Sequence, residues 1–187
     1  MPKYQSQVFG LTIDMPNGWA GVDDKEFFAE KLKIPKSQSE STAMILVKID
    51  ENSVSKYISV THDMEEYHDI NAYKEALSGN LDALISAGCK IVSQKSEMIP
   101  SGYPVDHVMV LARDVLMSQY YVWFNKVIFC FATQVLSETD LDNIAIENIV
   151  FSMRKIDDKA EIISNDLIEP SSKLTKISTK SMKGIKI

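Results

Sequence analysis

The sequence predicts an α+β fold, with a central antiparallel sheet of six or seven strands flanked by helices. Three observations carry the prediction. Residues 103–135 are rich in Val, Ile, Phe, Tyr and Trp, which suit a pleated surface, and break near Asp114 and at Asn125-Lys126. In the last two strands of that stretch, Tyr120, Val122 and Phe124 alternate with Tyr121 and Trp123, and Phe129 and Phe131 with Ile128, Cys130 and Ala132, so both faces are apolar and need cover. Finally, Ile70, Tyr73, Leu77, Leu81, Leu84 and Ile85 recur at spacings of three and four, the stripe of a helix that can supply such cover.

The elements follow in order. Val8–Met15 alternates and stops at Pro16-Asn17-Gly18, a turn signal, which makes it the first strand; Trp19 can then fold back over the sheet edge. Asp23 or Asp24 can cap a short helix ending near Leu32, with Phe27, Phe28 and Leu32 inward. Strands over 42–49 and 55–61 surround Asp50-Glu51-Asn52-Ser53, a turn by composition. The 70–88 helix can be capped by Asp69 or Asn71 and ended by Gly88. Residues 89–99 return as a strand that breaks at Pro100-Ser101-Gly102. Strands over 104–113, 117–124 and 127–135 follow, with Asn125 as the left-handed residue of a two-residue hairpin. Ser137, with Asp140 three residues on, resembles a capping box, and Leu141, Ile144, Ala145 and Ile149 give the next helix its stripe.

Two segments differ in charge. Residues 170–187 hold five lysines and no acid; removing that +5 from the net −6 leaves −11 for residues 1–169. The expected organisation is a domain over 1–156 and a basic extension over 157–187, which electrostatic attraction would dock on the acidic body of its own or a neighbouring subunit. An acidic body argues against nucleic acid and anionic membrane surfaces as partners. No apolar run is long enough to span a bilayer, and the first residues carry no leader or lipidation cysteine, so a cytoplasmic location and no integral membrane segment are expected. Cys89 and Cys130 fall in predicted strands with apolar neighbours, where buried thiols are expected.

Catalytic patterns are sparse. The seven glycines form no phosphate-binding loop, no G-x-S-x-G is present, and neither cysteine sits beside a base. No cofactor is implied. The segment from His62 to Asp69 gathers two imidazoles and four carboxylates, a transition-metal donor set without a recognised spacing; a solvated loop is its plainer reading. His107 reads as a hydrogen-bonded sheet histidine. The aromatic residues are mostly core, yet Trp19, Tyr103, Tyr121 and Trp123 are the candidates for lining an uncovered apolar strip of the sheet.

The opening Phe9-Gly-Leu-Thr-Ile-Asp-Met-Pro-Asn-Gly-Trp19 resembles the F-x-[IV]-x-[LM]-P-x-G-W pattern of the PsbP-like superfamily, and Ile149-Val-Phe-Ser152 is similar to its closing segment. The resemblance spans about residues 8–154. It covers the photosystem subunit PsbP, a Ran-binding nuclear import factor, DcrB-type lipoproteins and type VI secretion effector chaperones. It implies an α/β/α sandwich and a binding role without catalysis. The expectation is therefore a non-enzymatic module for a protein or hydrophobic peptide segment, compatible with a homodimer. The rival readings are a metal-assisted hydrolase using His62 and His68, and an envelope-associated structural domain.

Overall fold

The computed structural model describes residues 2–22, 26, 30–31, 33, 41–51, 53–137, 139–156 and 176–177. Its elements are β1 (Lys3–Ser6), β2 (Leu11–Asp14), β3 (Trp19–Val22), β4 (Thr42–Asp50), β5 (Ser53–His62), α1 (Ile70–Ser86), β6 (Lys90–Met98), β7 (Pro104–Ala112), β8 (Val115–Phe124), β9 (Val127–Val135), α2 (Leu141–Phe151), β10 (Arg154–Lys155) and β11 (Lys176–Ile177). The helix expected before Leu32 falls almost wholly outside the described residues, as does the 157–187 extension apart from β11.

Seven strands form an antiparallel sheet in the order β3-β4-β5-β9-β8-β7-β6, and β11 adds a two-residue parallel pair beside β3. The chain leaves β5, crosses the sheet as α1, and returns from the far edge as the β6–β9 meander. The hairpin turns follow the expected chemistry: Asn125 and Lys126 both take positive φ, as a two-residue turn matching the strand twist requires.

Each face has its own cover. On one, Tyr120, Val122, Phe124, Phe129 and Phe131 pack against Ile146, Ile149 and Val150 of α2 and against Leu11 and Ile13 of a second sheet, β1-β2-β10. On the other, Tyr73 and Leu77 of α1 pack against Val108, Val110, Tyr121 and Ile128. Within residues 120–132, strand parity separates these side chains as observed, Tyr120, Val122 and Phe124 from Tyr121, and Phe129 and Phe131 from Ile128.

Several local expectations need correction. The Val8–Met15 strand is shorter, Leu11–Asp14, and lies in the small sheet rather than the central one. Gly18, at φ +82°, turns the chain between the two sheets. Trp19 does not fold back: it begins edge strand β3, opposite Lys48. The small sheet sits so close that Tyr4's ring occupies the space a Cβ at Gly21 would need. Asp140, not Ser137, caps α2, accepting from the backbone N–H of Asp142 at 3.0 Å and of Leu136 at 2.9 Å. The buried face of α2 is Asn143, Ile146, Ile149 and Val150, while Leu141 and Ile144 are exposed. In α1, Ile85 is also exposed, and Leu81 and Leu84 are half-buried. Cys89 precedes β6 instead of lying in it, and both cysteines are free and half-buried.

Candidate binding cleft

Helix α1 is fixed on the sheet by polar anchors. At its start, the Asp69 carboxylate accepts from the N–H groups of Asn71 (2.8 Å) and Ala72 (2.9 Å), satisfying two of the donors a helix end leaves open. One turn on, the buried Tyr73 hydroxyl donates to Asp106 Oδ2 at 2.6 Å and lies 3.1 Å from the Tyr121 carbonyl oxygen. Ser96 of β6 donates to the other Asp106 oxygen. Asp106 is a nearly buried carboxylate that this arrangement supplies with donors, as burial demands. Burial, with Asp106 beside it, raises the Tyr73 pKa and keeps the hydroxyl protonated. The Tyr73 ring stacks on Trp123 with centroids 6.1 Å apart, and Trp123 Nε1 donates to the Tyr67 carbonyl at 3.1 Å.

The segment before α1 is stitched down as well. Backbone N–H groups of Asp63 and Tyr67 donate to the carbonyls of Ile128 and Lys126, and the Tyr67 hydroxyl donates to Asp63 Oδ2 at 2.9 Å. Burial, then Asp63, pushes the Tyr67 hydroxyl up to about 12.

Between α1 and the β5–β9 seam lies a cleft of about 350 Å³. Asn80, Ala83 and Leu84 form its helix wall and Thr61 and Asp63 its strand wall; Tyr121, Ile128 and Cys130 form the floor. Thr61 pairs with Cys130 and Cys130 with Tyr121, so register alone places these three on one face. Burial pushes the Cys130 thiol up to about 12; a Tyr121 hydrogen bond offsets part of the rise and the Asp63 carboxylate adds to it. The thiol is therefore a weak nucleophile at neutral pH, and it serves as packing surface.

A second cavity of about 330 Å³ continues along the same seam. The β5–β9 pairing runs only from Ser59 to His62; beyond it β5 departs from β9, opening a space bounded by Tyr57, Ser59, Ala132, Gln134 and Met117. The Thr133 hydroxyl bridges the gap to the Tyr57 carbonyl at 2.8 Å.

The residues singled out from sequence are not gathered at one place. Trp19 and Tyr103 belong to the α2-side core, where Tyr103 packs on Phe124 at 4.6 Å. Tyr121 and Trp123 belong to the α1 side, and of the four only Tyr121 lines the cleft. His62 packs on the Phe9 ring at 5.0 Å, with Nδ1 3.0 Å from the Asp63 carbonyl oxygen, whereas His68 is exposed and Asp69 is committed to capping. Among the described residues, no group of three or more His, Cys, Asp or Glu is placed to hold a metal ion. On the opposite face, His107 Nε2 lies 2.9 Å from Ser118 Oγ, which donates to Asn143 Oδ1 at 2.6 Å. Ser118 is fully buried, so this imidazole–hydroxyl pair ties β7, β8 and α2 together rather than facing a substrate. The cleft residues Thr61, Asn80 and Ala83 were not singled out from sequence, and Asp63 figured there only as one carboxylate of the His62–Asp69 donor set. The signal for the strand wall is the β5–β9 register, readable once the strand order is known, and Asn80 and Ala83 lie on α1 C-terminal to its buried residues.

No family model matches the chain, and no curated protein matches it in sequence. Among solved structures, the fold is similar to cyanobacterial PsbP (CyanoP) from Synechocystis sp. PCC 6803: TM-score 0.54 and 13% identity, over 82% of this chain and 91% of that one. The chain thus has a PsbP-like fold. Among the described residues, no helix is long and apolar enough to cross a membrane.

Proposed function

We propose that this protein is a non-enzymatic binding module whose α1-side cleft receives an apolar side chain of a protein or peptide segment. The observation that carries the reading is the cleft itself. Its floor is Tyr121, Ile128 and Cys130, and Asp63 and Asn80 stand at its walls. A few polar groups around an apolar floor is the composition of a recognition pocket, in which burial supplies affinity and the rim orients the ligand. The chemistry suits an aliphatic or aromatic anchor beside a basic or hydrogen-bond-donating residue, because Asp63 presents acceptor oxygens and the chain is acidic overall. The PsbP-like fold supports a binding role by resemblance, and the protonated, packed Cys130 supplies no nucleophile in the cleft.

Selection of peptides from a random library on the folded protein tests this. Ala83 is an exposed helix residue on the cleft wall, so Ala83→Trp fills the opening without disturbing the core. Selected peptides should lose at least about tenfold in affinity on Ala83→Trp and keep it on Leu141→Trp, at an exposed position of α2. Equal binding to both variants would refute the assignment.

A further inference from the structure

The two edges of the sheet are unlike. Strand β3 is four residues long, buried throughout, and met by β11. Strand β6 is nine residues long and mostly exposed, and among the described residues nothing pairs with its outer side. An open edge of this length is a template for another strand.

Which groups face outward follows from the hydrogen-bond phase. Ile99 N–H donates inward to the Tyr103 carbonyl at 2.9 Å, and Pro104, which has no N–H, stands opposite Met98. Alternation along an antiparallel ladder then turns the N–H and C=O of Gln94, Ser96 and Met98 toward the free edge. A register break between Ile91 and Ser93 bounds this segment on one side, and Pro100 bounds it on the other.

We propose that β6 pairs antiparallel with β6 of a second copy of this chain, about a twofold axis at Ser96. Charge selects this register. Centred on Ser96, Lys95 stands opposite the partner's Glu97 and Glu97 opposite the partner's Lys95, while Gln94 and Met98 exchange backbone hydrogen bonds. Centred on Lys95 or Glu97, the outward-turned groups still meet, but identical charges stand directly opposite each other in the close, non-hydrogen-bonded pair. Centred on Met98, Ser96 meets Pro100, which has no N–H to give. Lys95 and Glu97 already project on the same side, with Nζ and Oε1 2.6 Å apart, and both reach solvent. The half-exposed Met98 gains cover against the partner's Gln94. Lysine on an edge strand ordinarily repels other strands; here a glutamate two residues away makes the edge self-complementary at one register.

Sedimentation velocity on the whole chain at low salt tests the proposal. The wild type should form a concentration-dependent dimer. Lys95→Glu and Glu97→Lys each place like charges opposite and should each raise the dimer Kd by at least about tenfold. An equimolar mixture of the two restores opposite charges at every facing position and should form a heterodimer, as should the doubly exchanged chain with itself. Lys95 is exposed and Glu97 half-buried, and circular dichroism melts matching wild type would exclude unfolding as the cause. A wild type that stays monomeric up to on the order of 1 mM overturns the proposal, and so does a mixture that associates no better than its components.

Discussion

The two faces of the seven-stranded sheet bury their residues under different covers. The α2 side is closed twice over, by a helix and by the three-stranded sheet, and twenty described residues form its buried core. On the other side α1 is set over β6–β9 and, among the described residues, packs with them in a cluster of six buried residues; the β5–β9 seam beside it opens into two cavities. Among the described residues, the larger core lies on the α2 side, and the cleft opens on the α1 side. A cleft between a helix and a strand seam presents apolar surface with polar groups at its edge, the composition of a recognition pocket.

If that division is right, the largest losses come from the α2 side. Phe131 is fully buried opposite Tyr120, so Phe131→Ala should lower stability by about 3–5 kcal/mol in urea titrations. Leu81→Ala on α1 should cost much less than that, because Leu81 is half-buried. Equal losses at both positions would erase the contrast. Tyr73→Phe ranks next. It removes a donor from the nearly buried Asp106 while leaving the ring stacked on Trp123, and should cost about 1–3 kcal/mol.

The smallest effect concerns the α2 cap and depends on pH. Two backbone N–H groups hold the Asp140 carboxyl below its usual range. A carboxylate whose pKa is depressed by folding contributes stability above its unfolded pKa and loses it as pH falls through the folded value. Asp140→Ala should therefore destabilise by about 0.5–2 kcal/mol at pH 7, and the gap to wild type should close on acidification below about pH 4. A gap independent of pH would show that the side chain acts by packing instead.

How much of this was legible in the sequence differs between the same two regions. Alternation at Tyr120–Phe124 and Ile128–Ala132 set which side chains share a face, because strand parity admits no intermediate. Asp69 or Asn71 at the start and Gly88 at the end bounded α1, since helix ends need a side-chain acceptor and a left-handed stop: of the two, Asp69 caps it, and Gly88 follows the helix with φ +87°. The pattern at Val8–Met15 identified a strand but not its sheet; Leu11, Ile13 and Met15 are buried equally well in a layer stacked over the main sheet. In α2 apolar residues occur nearly all round, so the sequence alone favours a stripe through Leu141 and Ile144, while packing buries Asn143, Ile146, Ile149 and Val150. The cleft was illegible for a different reason. It exists because α1 crosses beside a seam whose strands are joined by long-range pairing, with Thr61 against Cys130, and no local pattern encodes that neighbourhood.

The central claim is that the α1 face binds and the α2 face only holds the fold together. Photo-crosslinking reads this directly. A benzophenone side chain placed at Ala83 on the cleft wall, and separately at the exposed Leu141 on α2, would be irradiated in the native cell, and adducts mapped by mass spectrometry. The account predicts a defined protein adduct at Ala83 that is absent at Leu141, joined through a segment with an apolar anchor residue. Adducts at Leu141 with none at Ala83 would contradict it.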